Sequence, residues 1–112
     1  MGDEKEFKLR KEDIKQLIPR MGGCFATDHI TVEGSPVGYM YREDPDNDVD
    51  SGWRFFSGRE SQEYVDDASN TSFYDVNTIA NYDPAIIPYL GSPEGTQLER
   101  VSGTSLFQIV HD

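Results

Sequence analysis

Gly52-Trp53-Arg54-Phe55-Phe56 is the stretch on which the fold turns. It is apolar on both faces of an extended chain save at Arg54, and it is the most apolar strand in the sequence. Just before it, Glu43-Asp44-Pro45-Asp46-Asn47-Asp48-Val49-Asp50 packs five carboxylates into eight residues and reads as a loop leading into that strand. Just after it, Ser57-Gly58-Arg59-Glu60 fits a capping box, so a helix is expected there with Tyr64, Val65 and Ala68 on its inward side. Asp66 and Asp67 near its end oppose the helix dipole and keep it short. Upstream, Ile30-Thr31-Val32 and residues 37–41 flank Glu33-Gly34-Ser35-Pro36 as a hairpin, with Val37, Tyr39 and Tyr41 sharing one face. Gly23-Cys24-Phe25-Ala26-Thr27 reads as a short strand, and Phe7-Lys8-Leu9 as a shorter one. Ile14, Leu17 and Ile18 at helical spacing predict a leading helix from Lys11, stopped by Pro19 and Gly22-Gly23. Downstream, Phe73-Tyr74-Asp75-Val76 reads as a strand and Asn77 as the N-cap of a helix over 78–82. Asp83-Pro84 opens about one further turn before Pro88. Residues 98–101 and 106–110 alternate around Ser102-Gly103-Thr104 as a final hairpin. Strands and helices mix without a βαβ rhythm, which predicts an α+β fold with a mostly antiparallel sheet and a few short helices. Residues 1–20 are expected to form an N-terminal extension with a short helix, and residues 21–112 a single domain.

With 112 residues the chain has room for one modest core. Leu, Ile, Val and Phe make up 25 residues, just above the ~20% below which a highly charged chain stays disordered. Thirteen aromatics decide for a folded domain, because disordered chains lack such large burial units. No apolar run approaches the roughly 20 residues of a membrane span. Met1-Gly2-Asp3-Glu4-Lys5-Glu6 is charged with no apolar region behind it, unlike a secretory signal. A single cysteine, Cys24, can form neither an internal disulfide nor a multi-thiolate zinc site. A cytoplasmic protein is expected.

Charge is unevenly placed. Residues 1–20 carry six Lys/Arg against five Asp/Glu, whereas residues 21–112 carry four Arg, no Lys and sixteen Asp/Glu. A body that acidic repels phosphate backbones and anionic lipid, so neither nucleic acid nor membrane is an expected partner, and basic proteins are favoured.

The alternation of Asp46, Asp48 and Asp50 resembles a calcium loop, but from Asp46 the sixth position is Ser51 and the twelfth Ser57, where Gly and Glu are required. From Asp44 those positions are Val49 and Phe55, so both registers fail twice. Cys24 with His29 as base and Asp28 beside it is a thin catalytic constellation. Adjacent strand residues point to opposite faces, so Asp28 cannot orient His29 unless a turn intervenes. Cys24 reads better as a small buried hydrophobe, and His111 stands next to the last residue. No catalytic residue, cofactor or metal ligand is assigned. Trp53 and Arg54 are the residue types of interface hot spots. Alternatively Trp53 belongs to the core and Arg54 pairs with a nearby carboxylate such as Asp50.

Four stretches together resemble a known family: Gly22-Gly23-Cys24; Val37-Gly38-Tyr39-Met40-Tyr41-Arg42-Glu43; Asp50-Ser51-Gly52-Trp53-Arg54-Phe55-Phe56-Ser57-Gly58; and Tyr74-Asp75-Val76-Asn77-Thr78-Ile79-Ala80-Asn81-Tyr82-Asp83-Pro84. Over about residues 21–100 the chain is similar to the thirty-third immunity-protein family of bacterial polymorphic toxin systems. The resemblance implies an α+β protein that neutralises a cognate toxin, and it assigns no catalytic residue. On this reading the protein is a non-enzymatic inhibitor of a basic toxin. Glu43, Asp44, Asp46, Asp48 and Asp50 would attract the partner, and Trp53, Arg54 and Tyr82 would supply buried contacts. The alternative is a small-ligand or cation-binding module, built on the same aspartates and on a pocket of aromatics between Tyr64 and Tyr89 with Trp53.

Overall fold

The structure, a computed structural model, describes residues 5–110. The charged segment 1–4 and His111 lie outside the described residues.

Six strands form one sheet: β1 (Gly23–Thr27), β2 (Tyr39–Arg42), β3 (Asp50–Phe56), β4 (Thr71–Asp75), β5 (Gln97–Arg100) and β6 (Phe107–Ile109). Their order is β4-β1-β3-β2-β5-β6, and only β1 and β3 run parallel. The helices are short: α1 (Asp28–Thr31), α2 (Gln62–Asp66), α3 (Val76–Tyr82) and a 3₁₀ segment, Pro84–Tyr89. The fold is therefore α+β with a mostly antiparallel sheet.

Alternation along the strands sends Cys24, Ala26, Met40, Trp53, Phe55, Leu98 and Phe107 to one side of the sheet. There they pack against Ile30 of α1, Val76, Ile79 and Ala80 of α3, and Ile86 and Leu90 of the 3₁₀ region. Trp53 is fully buried, and its indole N–H donates to the Leu90 carbonyl at 3.1 Å. Burying each large side chain of this set contributes about 1.5–3 kcal/mol. Proline and capping chemistry aim the 3₁₀ segment at this core: Asp83 accepts from Ala85 N–H, with Pro84 next in the chain.

Several elements differ from the sequence reading. The leading helix does not form. Lys11–Asp13 makes one 3₁₀ turn, and the chain then runs without regular structure along α3. Its backbone is satisfied by side chains instead. Asn77 Oδ1 accepts from Leu17 N–H at 2.8 Å and Ile18 N–H at 3.3 Å, and Asn81 Oδ1 from Lys15 N–H at 3.0 Å. Both asparagine Nδ2 groups donate to the Lys15 carbonyl at 2.8 Å. Two amides one helical turn apart thus replace the bonds a helix would have made. Residues 7–9 are not a strand either. Phe7 sets its ring edge-on to Tyr74, Lys8 N–H donates to the Thr31 carbonyl, and Leu9 N–H to Tyr82 Oη.

The hairpin expected over residues 30–41 is replaced by the single turn α1, whose burial of Ile30 overrides the β-branched character of Ile30 and Thr31. β2 instead forms its hairpin with β3, across the acidic loop, and pairs antiparallel with β5 on its other side. The capping-box bonds at Ser57 do form, Glu60 accepting from Ser57 N–H at 2.8 Å and Ser57 Oγ from Arg59 N–H at 3.1 Å. The helix nevertheless starts later, capped by Ser61, because Glu60 is also drawn to the buried Thr27 hydroxyl at 2.6 Å. Val65 and Ala68 are exposed rather than inward, and α2 buries no residue. The cap of α3 is Asp75, which accepts from Asn77 N–H at 2.9 Å, so Asn77 is freed to bind the N-terminal segment.

Candidate functional site

The face of the sheet turned away from the helices is also aromatic. Strand register aligns Phe73, Phe25, Arg54, Tyr41 and Gln97 in one row across β4, β1, β3, β2 and β5. A second row sets Phe56 beside Tyr39 and Tyr39 beside Glu99. The rings meet one another: Phe25 and Phe73 edge-on at 5.1 Å, Tyr41 and Phe56 stacked at 5.8 Å. Phe25, Tyr39, Tyr41 and Phe56 are half-buried, and Phe73 is 45% exposed. The connection from β3 to β4 crosses this face only thinly. Val65 and Ala68 stand with Phe25, Tyr41, Arg54 and Phe56 around a groove of about 320 Å³. On the other side of Val65 a groove of about 410 Å³ is lined by Tyr39, Phe56, Glu60, Glu99 and Arg100.

In the middle of the aromatic row lies a buried ion pair. Arg54, 4% exposed, donates Nη1 and Nη2 to the two oxygens of Asp50 at 2.9 Å each, and Nε to Glu43 at 2.6 Å. Asp50 also accepts from Gly52 N–H at 2.9 Å and Asp46 N–H at 2.8 Å. The hydrogen bonds from Arg54 hold the Asp50 carboxyl well below the usual carboxylate range, and those to Asp50 push the guanidinium up. Gly52 makes this geometry possible. Its φ is +92°, and a Cβ there would come within 2.2 Å of the Glu43 carbonyl oxygen. The guanidinium also lies 4.8 Å from the centre of the Phe25 ring.

Asp50 therefore serves as the anchor of the acidic loop, while Glu43, Asp44, Asp46 and Asp48 are exposed beyond it. Val49, 63% exposed, projects from the same loop beside Phe73. Trp53 faces the helices, on the opposite side of the sheet. Tyr82 lies away from the loop, its hydroxyl accepting from Leu9 N–H and its pKa raised by burial under the N-terminal segment. Of the residues singled out in the sequence, the structure thus joins Glu43, Asp50 and Arg54 and separates Trp53 and Tyr82 from them. Sequence reasoning missed Phe25, Phe56 and Phe73. Their signal was an aromatic on the second face of three strands, legible only once strand order is known.

Surface charge follows from how the arginines are engaged. Arg54 and Arg100 pair with Asp50 and Asp83, Arg42 donates to the Ser51 and Ser92 carbonyls at 2.9 Å, and Arg59 donates to Ser35 at 2.6 Å. The remaining carboxylates of the body, including Glu99 and the 43–48 loop at the margins of the open face, carry its large negative excess. The N-terminal segment, which holds all the lysines, runs over the helix side.

Cys24 is buried on β1, and burial pushes its thiol pKa up. His29 is engaged elsewhere, with Nδ1 2.8 Å from Ser57 Oγ and 3.4 Å from Glu60, and its ring 4.3 Å from that of Tyr64. Burial raises the Glu60 pKa, but bonds from Thr27, Ser57 and Gly58 outweigh it and leave the carboxyl lowered. Among the described residues no group of three or more His, Cys, Asp or Glu converges as metal ligands do, and no helix is long and apolar enough to cross a membrane.

The model of the immunity protein Imm33 domain family matches residues 24–110, which takes in the terminal hairpin, the last three stretches quoted above and, of the first, Cys24 alone. No curated protein and no solved structure matches the chain.

Proposed function

The chain belongs to the Imm33 immunity-protein family, and from that premise we propose that it protects a bacterial cytoplasm by binding a basic toxin domain, without chemistry of its own. The observation that carries this reading is the acidic excess: beyond residue 20 there are sixteen carboxylates against four arginines, and two of those arginines are spent on the buried Asp50 and Asp83. Such a field raises the encounter rate with a cationic partner and makes that rate fall steeply with salt. Asp44, Asp46 and Asp48, exposed on a loop anchored by Asp50, supply its strongest local part. The family membership implies a protein partner, and the charge sign supports a basic one. The buried thiol of Cys24 and the hydrogen-bonded imidazole of His29 lend no support to a nucleophile and base.

The test begins with affinity capture on this protein at low and then high salt. The captured toxin is made inactive and its association followed by stopped flow. Asp44→Asn, Asp46→Asn and Asp48→Asn together are expected to slow association at low salt by about tenfold and to flatten its salt dependence. Asp50 is left in place because it anchors the loop. A partner that associates with the triple variant at an unchanged rate would sink the electrostatic role. Cells expressing the active toxin with this protein and still dying would sink the immunity reading itself.

A further inference from the structure

We infer that the open aromatic face of the sheet is the docking surface for the toxin, and that it receives a segment whose lysine or arginine side chains lie across the rings with their charged heads toward the acidic margins. This rests on the immunity reading above and gives it a location.

Three observations converge on this face. Phe25 with Phe73, and Tyr39 and Tyr41 with Phe56, form two aromatic groups on either side of Arg54 over four adjacent strands, and among the described residues it is the thinly packed connection carrying α2 that passes over them. Aromatic surface surrounded by polar residues is the make-up of interface centres. The margins are acidic, with Glu99 beside Tyr39 at one end and Glu43 bonded to Arg54 beside Tyr41 at the other. Ring faces attract cations, and the stems of Lys and Arg cover apolar surface while their heads reach carboxylates. The protein already makes this contact internally, with the Arg54 guanidinium over Phe25 and its donors on Asp50 and Glu43.

The same charge argues against other occupants. A second copy brings another net charge of −11 to the face, and a nucleic acid brings phosphates to it. The two grooves flanking Val65 give side chains of the partner places to enter.

A probe of defined chemistry tests this without the toxin. Isotope-labelled protein is titrated with an eight-residue peptide of alternating arginine and leucine, and in parallel with one of alternating glutamate and leucine, while backbone amide shifts are recorded. The expected result is a response at Phe25, Tyr39, Tyr41 and Phe56 to the arginine peptide and none to the glutamate peptide. Responses confined to residues 43–49 would overturn the aromatic face while leaving electrostatic attraction by the loop standing. No response anywhere, or an equal response to both peptides, would also overturn it. With the inactive toxin, Tyr39→Ser combined with Tyr41→Ser is expected to weaken binding about tenfold, chiefly through faster dissociation. Trp53 on the opposite face reports by its fluorescence that the fold is retained. If the double variant folds and binds with unchanged affinity, this face is not the docking surface, whatever the loop variant does.

Discussion

On the helix side of the sheet Cys24, Ala26, Met40, Trp53 and Phe55 are sealed from solvent, whereas on the other side Phe25, Tyr39, Tyr41, Phe56 and Phe73 keep part of every ring accessible. Apart from Phe73 on β4 the two sets come from the same strands, one residue apart, and the outer set is the more aromatic. Ring content therefore does not decide which face becomes core. The decision comes from the connections: α1 follows β1, α3 follows β4, and both pack on one side, joined there by the 3₁₀ segment. Among the described residues the outer face receives α2, which buries nothing of its own. What organises the outer face is a charge, the Arg54–Asp50 pair, where the inner face relies on packing.

The sharpest contrast is expected from Trp53→Ala, which opens a large cavity on the inner face and should cost about 4–5 kcal/mol by chemical denaturation. A cost near 1 kcal/mol would mean that the inner face is not the core. Arg54→Ala strands Asp50 as a buried, uncompensated carboxylate and should cost about 3 kcal/mol, making the centre of the outer face nearly as sensitive as the core. The same pair sets an acid limit. The folded pKa of Asp50 lies below its unfolded value, so the unfolded chain takes up the proton more readily. Its contribution is complete above the ordinary carboxylate value of about 4 and is lost as pH falls below it. Arg54→Ala should flatten this acid limb in urea titrations between pH 5 and pH 2 (an approximate window); an unchanged limb would place the acid sensitivity elsewhere, for example at Glu60. Phe73→Ala, on a ring already 45% exposed, should cost under about 1 kcal/mol despite its size. A larger cost would show the outer ring row to be a second core. Smallest of all, Asp44→Asn with Asp48→Asn should leave stability within about 0.5 kcal/mol, and a clear loss would mean that the loop carries structural contacts beyond Asp50.

The sequence made the sheet legible where the signal is local. Alternation and turn residues located β1, β3, β4 and the final hairpin; for Trp53 and Arg54 the residue types left two readings open, and the structure has Trp53 in the core and Arg54 on Asp50. It failed where a distant partner outbids a local preference. Ile14, Leu17 and Ile18 keep helical spacing, yet the backbone of Lys15, Leu17 and Ile18 is claimed by Asn77 and Asn81, about 60 residues away. Ser57 and Glu60 form their capping bonds, yet Thr27 holds Glu60 and delays the helix. The acidic loop was visible as a run of carboxylates. That one of them is a buried anchor depends on Gly52, whose positive φ and missing Cβ let the Glu43 carbonyl come close while Asp50 meets Arg54. The aromatic face was invisible because its rows cross strands whose order no local pattern encodes.

The asparagine stitch between α3 and the N-terminal segment also sets an order of events in time. Leu17 and Ile18 leave the ribosome about 60 residues ahead of Asn77, and at about 5–20 residues per second they wait roughly 3–12 s for it. β1 waits as well, since both its neighbours, β3 and β4, are made after it. The segment around Leu17 and Ile18 is thus held in place only after the chain as far as Asn77 has been made. The same long span makes it an early part to let go, and amide exchange at Leu17 and Ile18 is expected to outpace that of Phe55 in the folded protein. The segment can be fastened only once α3 exists.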